Sequence, residues 1–234
     1  MKKSVTLAAA LLVTAALTGG YAYSTASAAT ITVGSGNSQE TGGPNAFSLL
    51  SLLTEEKTTQ YFEDTAVSDD DVRTILQAGI NAPSAMNQQS WHFSVVTSEE
   101  ILQQIAEDMS AELPAGIMAS ASGTVAKAGI ADAPLAIVIS SGNDRDFDAG
   151  LACQNMSVAA LALGYGTKII SSPTIALNGD KQDAYREQLG IPADMEAVAV
   201  LLVGTKADTS SLGTDAITGP TTRNSFDSTV TYIN

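Results

Sequence analysis

Pro83, Ser84, Asn87 and Gln89 stand within seven residues of one another in the stretch Asn81 to Phe93, which reads N-A-P-S-A-M-N-Q-Q-S-W-H-F. Asn87 and Gln89 each carry a hydrogen-bond donor and an acceptor, and Pro83-Ser84 fixes the path of the backbone. Such a set can cradle a planar polar ligand. The same residues also make an ordinary helix-to-strand connector with Trp91 and Phe93 in the core. A second stretch, Gly164-Tyr165-Gly166-Thr167, allows a ligand to approach the backbone closely or simply caps a helix in the left-handed conformation. The remaining chemistry is narrow. His92 is the only histidine, so a histidine-rich metal site cannot be built, and its place between Trp91 and Phe93 reads as structural or as a pocket wall. Cys153 is the only cysteine, which rules out an intrachain disulfide. It reads as a buried inert thiol or, alternatively, as a reactive nucleophile. No metal ligand set is assigned.

These residues must be positioned by the elements around them. Ser68 is a good N-cap, Asp69, Asp70 and Asp71 suit a first turn, and Val72, Ile75 and Leu76 share a face, so a helix is predicted to run to about Ile80. Pro83 disfavours helix at Ala82 and stops it there. Phe93 to Thr97 reads as a strand, and Ser98 caps a helix over Glu99 to Met109. Leu135 to Ile139 is an apolar run of the buried-strand type. After a charged turn at Asp144 to Asp148, a long helix is predicted from Phe147 to Leu163, with Leu151, Asn155, Val158 and Leu161-Ala162 as its buried face. Gln154 and Asn155 lie in the middle of it, and buried amides must meet either a neighbour's backbone or a ligand. Lys168 to Ile170 is a short strand, Tyr185 to Leu189 a short helix ended by Gly190-Ile191-Pro192, and Glu196 to Gly204 the clearest strand.

Ala46 to Thr54 predicts a first helix, and Ser110 to Gly129, with Pro114, a cover segment or weakly periodic helix. Thr229 to Ile233 reads as an extended tail able to add an edge strand to its own sheet or to another subunit. Helices interspersed with few strands give an α+β fold, a central sheet covered by helices.

The chain opens with Lys2 and Lys3, an apolar run from Val5 to Leu17, and an A-x-A pattern at Ala26-Ser27-Ala28. That is the pattern of a secretory signal peptide over residues 1–29, with an apolar run short for a bilayer span; an uncleaved amphipathic anchor is the alternative. Residues 30–45, rich in Thr, Ser, Gly and Asn, form a flexible lead, and residues 46–234 a single domain. Cleavage would deepen the net charge from −14 to −16. Such an acidic chain is a poor partner for nucleic acid or for anionic lipid.

Four segments, in order, resemble the nitroreductase family of flavoproteins. They are Ile80 to Phe93; Asp132-Ala133-Pro134-Leu135 with its strand; Asp148 to Met156 continuing through Leu163 to Thr167; and Leu189-Gly190-Ile191-Pro192 with Val198 to Gly204. Ser90 stands where proline is usual. The resemblance implies a mostly antiparallel sheet flanked by helices, and FMN bound in an intertwined homodimer. The flavin N5 would carry the chemistry, so no catalytic side chain is required. Pro83, Ser84, Asn87 and Gln89 match positions near the isoalloxazine ring, and Gly164, Tyr165 and Gly166 the loop whose backbone approaches the cofactor. Arg223 matches a late phosphate-binding arginine. Family members place cationic residues around a serine before the segment of Tyr61-Phe62. Here Glu56-Lys57-Thr58-Thr59-Gln60 keeps a hydroxyl at Thr58 but puts Glu56 and Gln60 where bases are expected, leaving Lys57 with Arg223 to hold the phosphate.

Nicotinamide cofactors are scarce outside the cell. The resemblance and the leader together therefore imply a secreted oxidoreductase that reduces a small acceptor such as a quinone or nitroaromatic. Its donor would be an extracellular or membrane carrier and need not be NAD(P)H. The alternative is a non-enzymatic flavin- or small-ligand-binding protein on the same fold.

Overall fold

The computed structural model describes residues 53, 58–112, 129–142, 144–208 and 223–233. The leader, the lead segment, Glu56, Lys57 and most of the Ser110–Gly129 cover lie outside the described residues, as does the first helix apart from Leu53. Helix α1 (Asp69–Ile80) starts as its sequence dictates. The Ser68 hydroxyl accepts the Asp71 N–H at 3.2 Å, and three aspartates fill the first turn. It stops at Asn81, two residues before Pro83. A short loop containing one 3-10 turn, Ala85–Asn87, leads into β1 (Trp91–Val96), which begins two residues earlier than its apolar pattern suggests. Helix α2 (Glu99–Glu112) follows, with the Ser98 hydroxyl accepting the Ile101 N–H at 3.4 Å. The chain then returns through the turn Gly129–Asp132 to β2 (Leu135–Gly142). The long helix α3 (Asp146–Ala162), β3 (Gly166–Ile170), α4 (Thr174–Leu177), α5 (Gln182–Leu189), β4 (Met195–Gly204) and a single turn α6 (Phe226–Thr229) complete the described elements.

The four strands form one antiparallel sheet in the order β1-β2-β4-β3. Strand β2 lies inside it and is buried along its whole length, which is why its sequence is a near-continuous apolar run rather than an alternation. Ala136 and Val138 face one core shared with Leu102, Ile105, Met109 and Tyr185. Leu135, Ile137 and Ile139 face the other, shared with Ile75 of α1 and Cys153 and Met156 of α3. The two helices of that second layer run antiparallel. Tyr165, just past the end of α3, bonds Asp71 in the first turn of α1, whereas Asn155 donates to the Ala78 carbonyl near the end of α1.

Three expectations need correction. The most buried face of α3 is Ala149, Ala152, Cys153, Met156 and Ala160, not Leu151, Asn155, Val158 and Leu161-Ala162. Small residues allow α1 and the sheet to approach closely, so the bulkier stripe is turned aside and left half-buried, with Ala162 exposed. Strand β3 begins at Gly166 rather than Lys168, because Gly166 and Thr167 pair with Gly204 and Val203. The tail is not an edge strand among the described residues. The Ser228 and Thr229 hydroxyls both donate to the Ser225 carbonyl, which turns the chain into α6, and Tyr232 and Ile233 beyond it are exposed.

Candidate functional site

The connector between α1 and β1 has an unusual backbone. Met86, Asn87 and Gln89 all take left-handed φ values, 53°, 57° and 50°, without a glycine among them. Such conformations cost free energy in ordinary residues and persist only where the surroundings enforce them. The enforcing contacts are visible. The Ser84 hydroxyl accepts the Gln89 N–H at 3.1 Å, and the Asp148 carboxylate accepts the Ala85 N–H at 3.1 Å. Asp148 is buried in the first turn of α3, where the helix dipole favours its charge. The outcome is a held loop that leaves Asn87 and Gln89 exposed, with their amides turned outward apart from one long contact from the Gln89 side chain to the Asn87 carbonyl. Pro83 is exposed and Ser84 half-buried. Beside the loop lies a shallow cavity of about 370 Å³ lined by Leu76, Ile80, Gln89, Trp91, His92 and Phe93. His92 is thus a pocket wall. Asp148 is a holding residue that the sequence pattern does not single out. Its position at the start of a long helix is the one local signal for that role.

The glycine stretch sits elsewhere. Gly164, at φ 95°, ends α3 as a left-handed cap: the Tyr165 N–H reaches back to the Ala160 carbonyl and the Gly164 N–H to the Leu161 carbonyl, both at 3.0 Å. The Tyr165 hydroxyl donates to Asp71 at 2.7 Å. The Ser68 and Tyr165 hydroxyls hold the Asp71 carboxyl below its ordinary range, and the Asp71 bond pushes the Tyr165 phenol up. Tyr165 therefore ties the two helices together. Gly166 is buried in β3, and the space left by its missing side chain is taken by Thr59 and the stem of Lys206. Its close approach here is to this chain's own atoms.

Thr58 and Gln60 flank that contact. The Thr59 N–H donates to the Thr167 carbonyl at 2.9 Å, which lays the segment along β3 with Thr58 exposed and Gln60 half-buried. Thr59, between them, is thereby brought to Gly166. Among the described residues, Arg223 is exposed and makes no hydrogen bond or ion pair with them. Lys206 is a residue that sequence reasoning missed, since its meeting with Thr59 depends on strand pairing. Asn155 meets the Ala78 backbone rather than a ligand, and Gln154 is exposed. Cys153 is buried, and burial pushes its thiol up to about 12, so the thiolate needed for reactivity is suppressed.

The sequence-selected residues thus fall into two groups. Pro83, Ser84, Asn87 and Gln89 lie at the start of α3; Thr58, Gln60, Gly164, Tyr165 and Gly166 lie at its end. The helix has 17 residues, so the groups stand about 25 Å apart at 1.5 Å per residue. Pockets for small ligands are roughly 7–10 Å across, judged from volumes of 300–1,000 Å³. One copy of the chain does not bring both groups to one ligand.

Comparison with known proteins accords with the fold. The family model described as Nitroreductase family matches residues 53–205. A protein of Archaeoglobus fulgidus, described as an NADH dehydrogenase/NAD(P)H nitroreductase, is 28% identical over 164 residues, covering 68% of this chain and 86% of the relative. A nitroreductase structure with bound FMN from Bacteroides fragilis superposes with a TM-score of 0.65 at 21% identity, over 80% of this chain and 100% of that one. A second, from Desulfitobacterium hafniense and also with bound FMN, gives 0.64 at 24% identity, over 80% and 98%.

Proposed function

Since the chain belongs to the nitroreductase family, we propose that it is an FMN-dependent oxidoreductase acting as a homodimer outside the cytoplasm. It would reduce a small quinone, nitroaromatic or similar acceptor with electrons from an extracellular or membrane carrier, a donor that need not be NAD(P)H. The observation that carries the cofactor and dimer reading is the separation of the two residue groups by the length of α3. A second copy that sets its own α1–β1 loop against the Thr58–Gly166 end completes one site, and by symmetry two. The stripe on α3 supports this. Phe147 is 77% exposed, and Leu151, Val158 and Leu161 are half-buried, although their spacing is that of a covered face. The FMN in the Bacteroides fragilis and Desulfitobacterium hafniense structures supports the choice of cofactor. Export is supported by the basic and apolar leader alone.

The residues present fit FMN across two copies. Asn87 and Gln89 offer the paired donors and acceptors that a flavin's pyrimidine edge requires. Ser84 and Asp148 hold their loop in its strained form, so little ordering is left to pay for on binding. Thr58, Gln60 and Lys57, with Arg223, supply a hydroxyl, an amide and positive charge for a phosphate. Hydride or electron transfer at N5 is the flavin's own chemistry, which agrees with a single pocket-wall histidine and a suppressed thiol.

The test is an absorbance spectrum of the purified protein with excess FMN, taken across a sizing column. Flavin bands co-eluting with a dimer are expected, and Asn87→Ala should lower flavin occupancy without loss of fold. A dimer that retains no flavin would move the reading to a repurposed binding protein. A monomer that binds flavin tightly would overturn the two-copy site.

A further inference from the structure

Met86 combines two features that each need a reason. Its side chain is 80% exposed, although a thioether gains little from water, and its backbone is left-handed at φ 53° and ψ 24° without the freedom of glycine. A backbone outlier of this kind points to function where the surroundings enforce it. Here they do. The Asn87 N–H donates to the Ser84 carbonyl at 3.0 Å and the Gln88 N–H to the Ala85 carbonyl at 3.1 Å, which closes the turn on either side of Met86. With Asp148 holding Ala85 and the Ser84 hydroxyl holding Gln89, the sulfur is carried on a held turn. The other sulfur atoms among the described residues are withdrawn. Met109 and Met156 are 2% and 0% exposed, Met195 is half-buried against the core, and Cys153 is buried with its thiol suppressed. An oxidant arriving from solvent therefore meets the Met86 sulfur before these, and meets it beside the outward-facing amides of Asn87 and Gln89.

We infer that Met86 is a modification site, converted by hydrogen peroxide to the sulfoxide, and that this conversion weakens ligand binding at the amide loop. In the step, sulfur gives an electron pair to one peroxide oxygen. The S–O bond forms, the O–O bond breaks, and the second oxygen leaves as water with both protons. Sulfur loses two electrons and peroxide gains them. The product exchanges an apolar thioether for a polar group with an acceptor oxygen. That acceptor stands one residue from Asn87 and three from Gln89, and it competes for the donors of their amides. The oxidation itself stands on exposure and geometry alone. Its effect on binding rests on the flavin reading above. Methionine sulfoxide reductases reverse the change, one enzyme for each epimer.

The experiment treats the full chain with dilute hydrogen peroxide, following each methionine by peptide mass spectrometry and FMN affinity by flavin fluorescence. Met86 should gain its oxygen more than about tenfold faster than Met109 and Met156, which solvent reaches only through local opening. The protein oxidised at Met86 should bind FMN about three- to tenfold more weakly, the scale of one neutral contact. Treatment with the reductases should restore the affinity. Met86→Leu removes the sulfur and keeps an apolar side chain of similar size, so its FMN affinity should no longer respond to peroxide. Met86→Gln places a polar side chain there without oxidation and should reproduce the weakening. Met86 reacting no faster than Met109 and Met156 would overturn the modification site. Selective oxidation that leaves FMN affinity unchanged, or a loss that persists in Met86→Leu, would overturn the effect on binding while leaving the flavin reading standing. Failure of the untreated chain to bind FMN would overturn the flavin reading and that effect together, and the peptide masses would still decide the modification site.

Discussion

Gly166→Ala is a demanding test of how the N-terminal segment is seated on the sheet. Gly166 does not have a positive φ, so alanine meets no backbone penalty and the cost is steric. The added methyl would lie 2.8 Å from Thr59 Cγ2 and from Lys206 Cγ, and nearer still to Thr59 Oγ1. The Lys206 stem can swing away. Thr59 is short, and its backbone is held to Thr167 at 2.9 Å, so its segment has to lift. Overpacking of this kind costs about 1–3 kcal/mol, and alanine in a strand recovers about 0.5–1 kcal/mol relative to glycine. A net loss of about 0.5–2 kcal/mol is expected. Urea unfolding reads it: with m of about 2 kcal/mol/M, a loss of about 1 kcal/mol lowers the midpoint by about 0.5 M without changing m. A double-mutant cycle identifies the cause. With Thr59→Ala already in place, Gly166→Ala should cost less than about 0.5 kcal/mol, a coupling of about 1 kcal/mol. An unchanged midpoint, or a cycle that is simply additive, would refute the seating of Thr59 against Gly166.

Two further predictions concern other parts of the framework. Asp148→Ala removes the carboxylate that accepts the Ala85 N–H and should cost about 1–3 kcal/mol. It should also speed amide exchange across residues 85–89 while leaving β2 protected; uniform exchange in both would show that Asp148 does not hold the loop. Asp108 bonds Lys181 at 2.7 Å and Tyr185 at 2.6 Å, and these hold its carboxyl below the ordinary carboxylate range. A depressed folded pKa contributes stability above the unfolded value, near 4, that is lost as pH falls through the folded one. Asp108→Asn should therefore destabilise most near about pH 7 and progressively less below about pH 3, where the parent is protonated too. A cost independent of pH, measured by urea midpoints, would contradict the charged state assigned to Asp108.

Much of the framework was legible because it depends on neighbours in the chain. Ser68, Ser98, Pro83 and Gly190 mark helix starts and stops through groups within a few residues of themselves, and the apolar runs of β2 and β4 announce strands buried on both faces. The α+β fold followed from the order of those signals, and the family from the resemblance of four ordered segments. The spacing of the bulky stripe on α3 predicts a buried face, but spacing alone cannot tell which side of a helix the chain's own sheet will cover. Small residues won that side because they permit closer approach of α1.

The residues themselves and their short-range preferences thus determined the elements, the amide-rich loop, the glycine cap and the inert cysteine. Tertiary structure alone decided which of them meet. It put the amide loop and the glycine loop at opposite ends of α3, gave Asp148 to Ala85, and set Lys206 beside Thr59 from almost 150 positions away in the chain. Local sequence encodes backbone preference, whereas such meetings are fixed by strand register and by the volume that a pair of glycines leaves in the sheet.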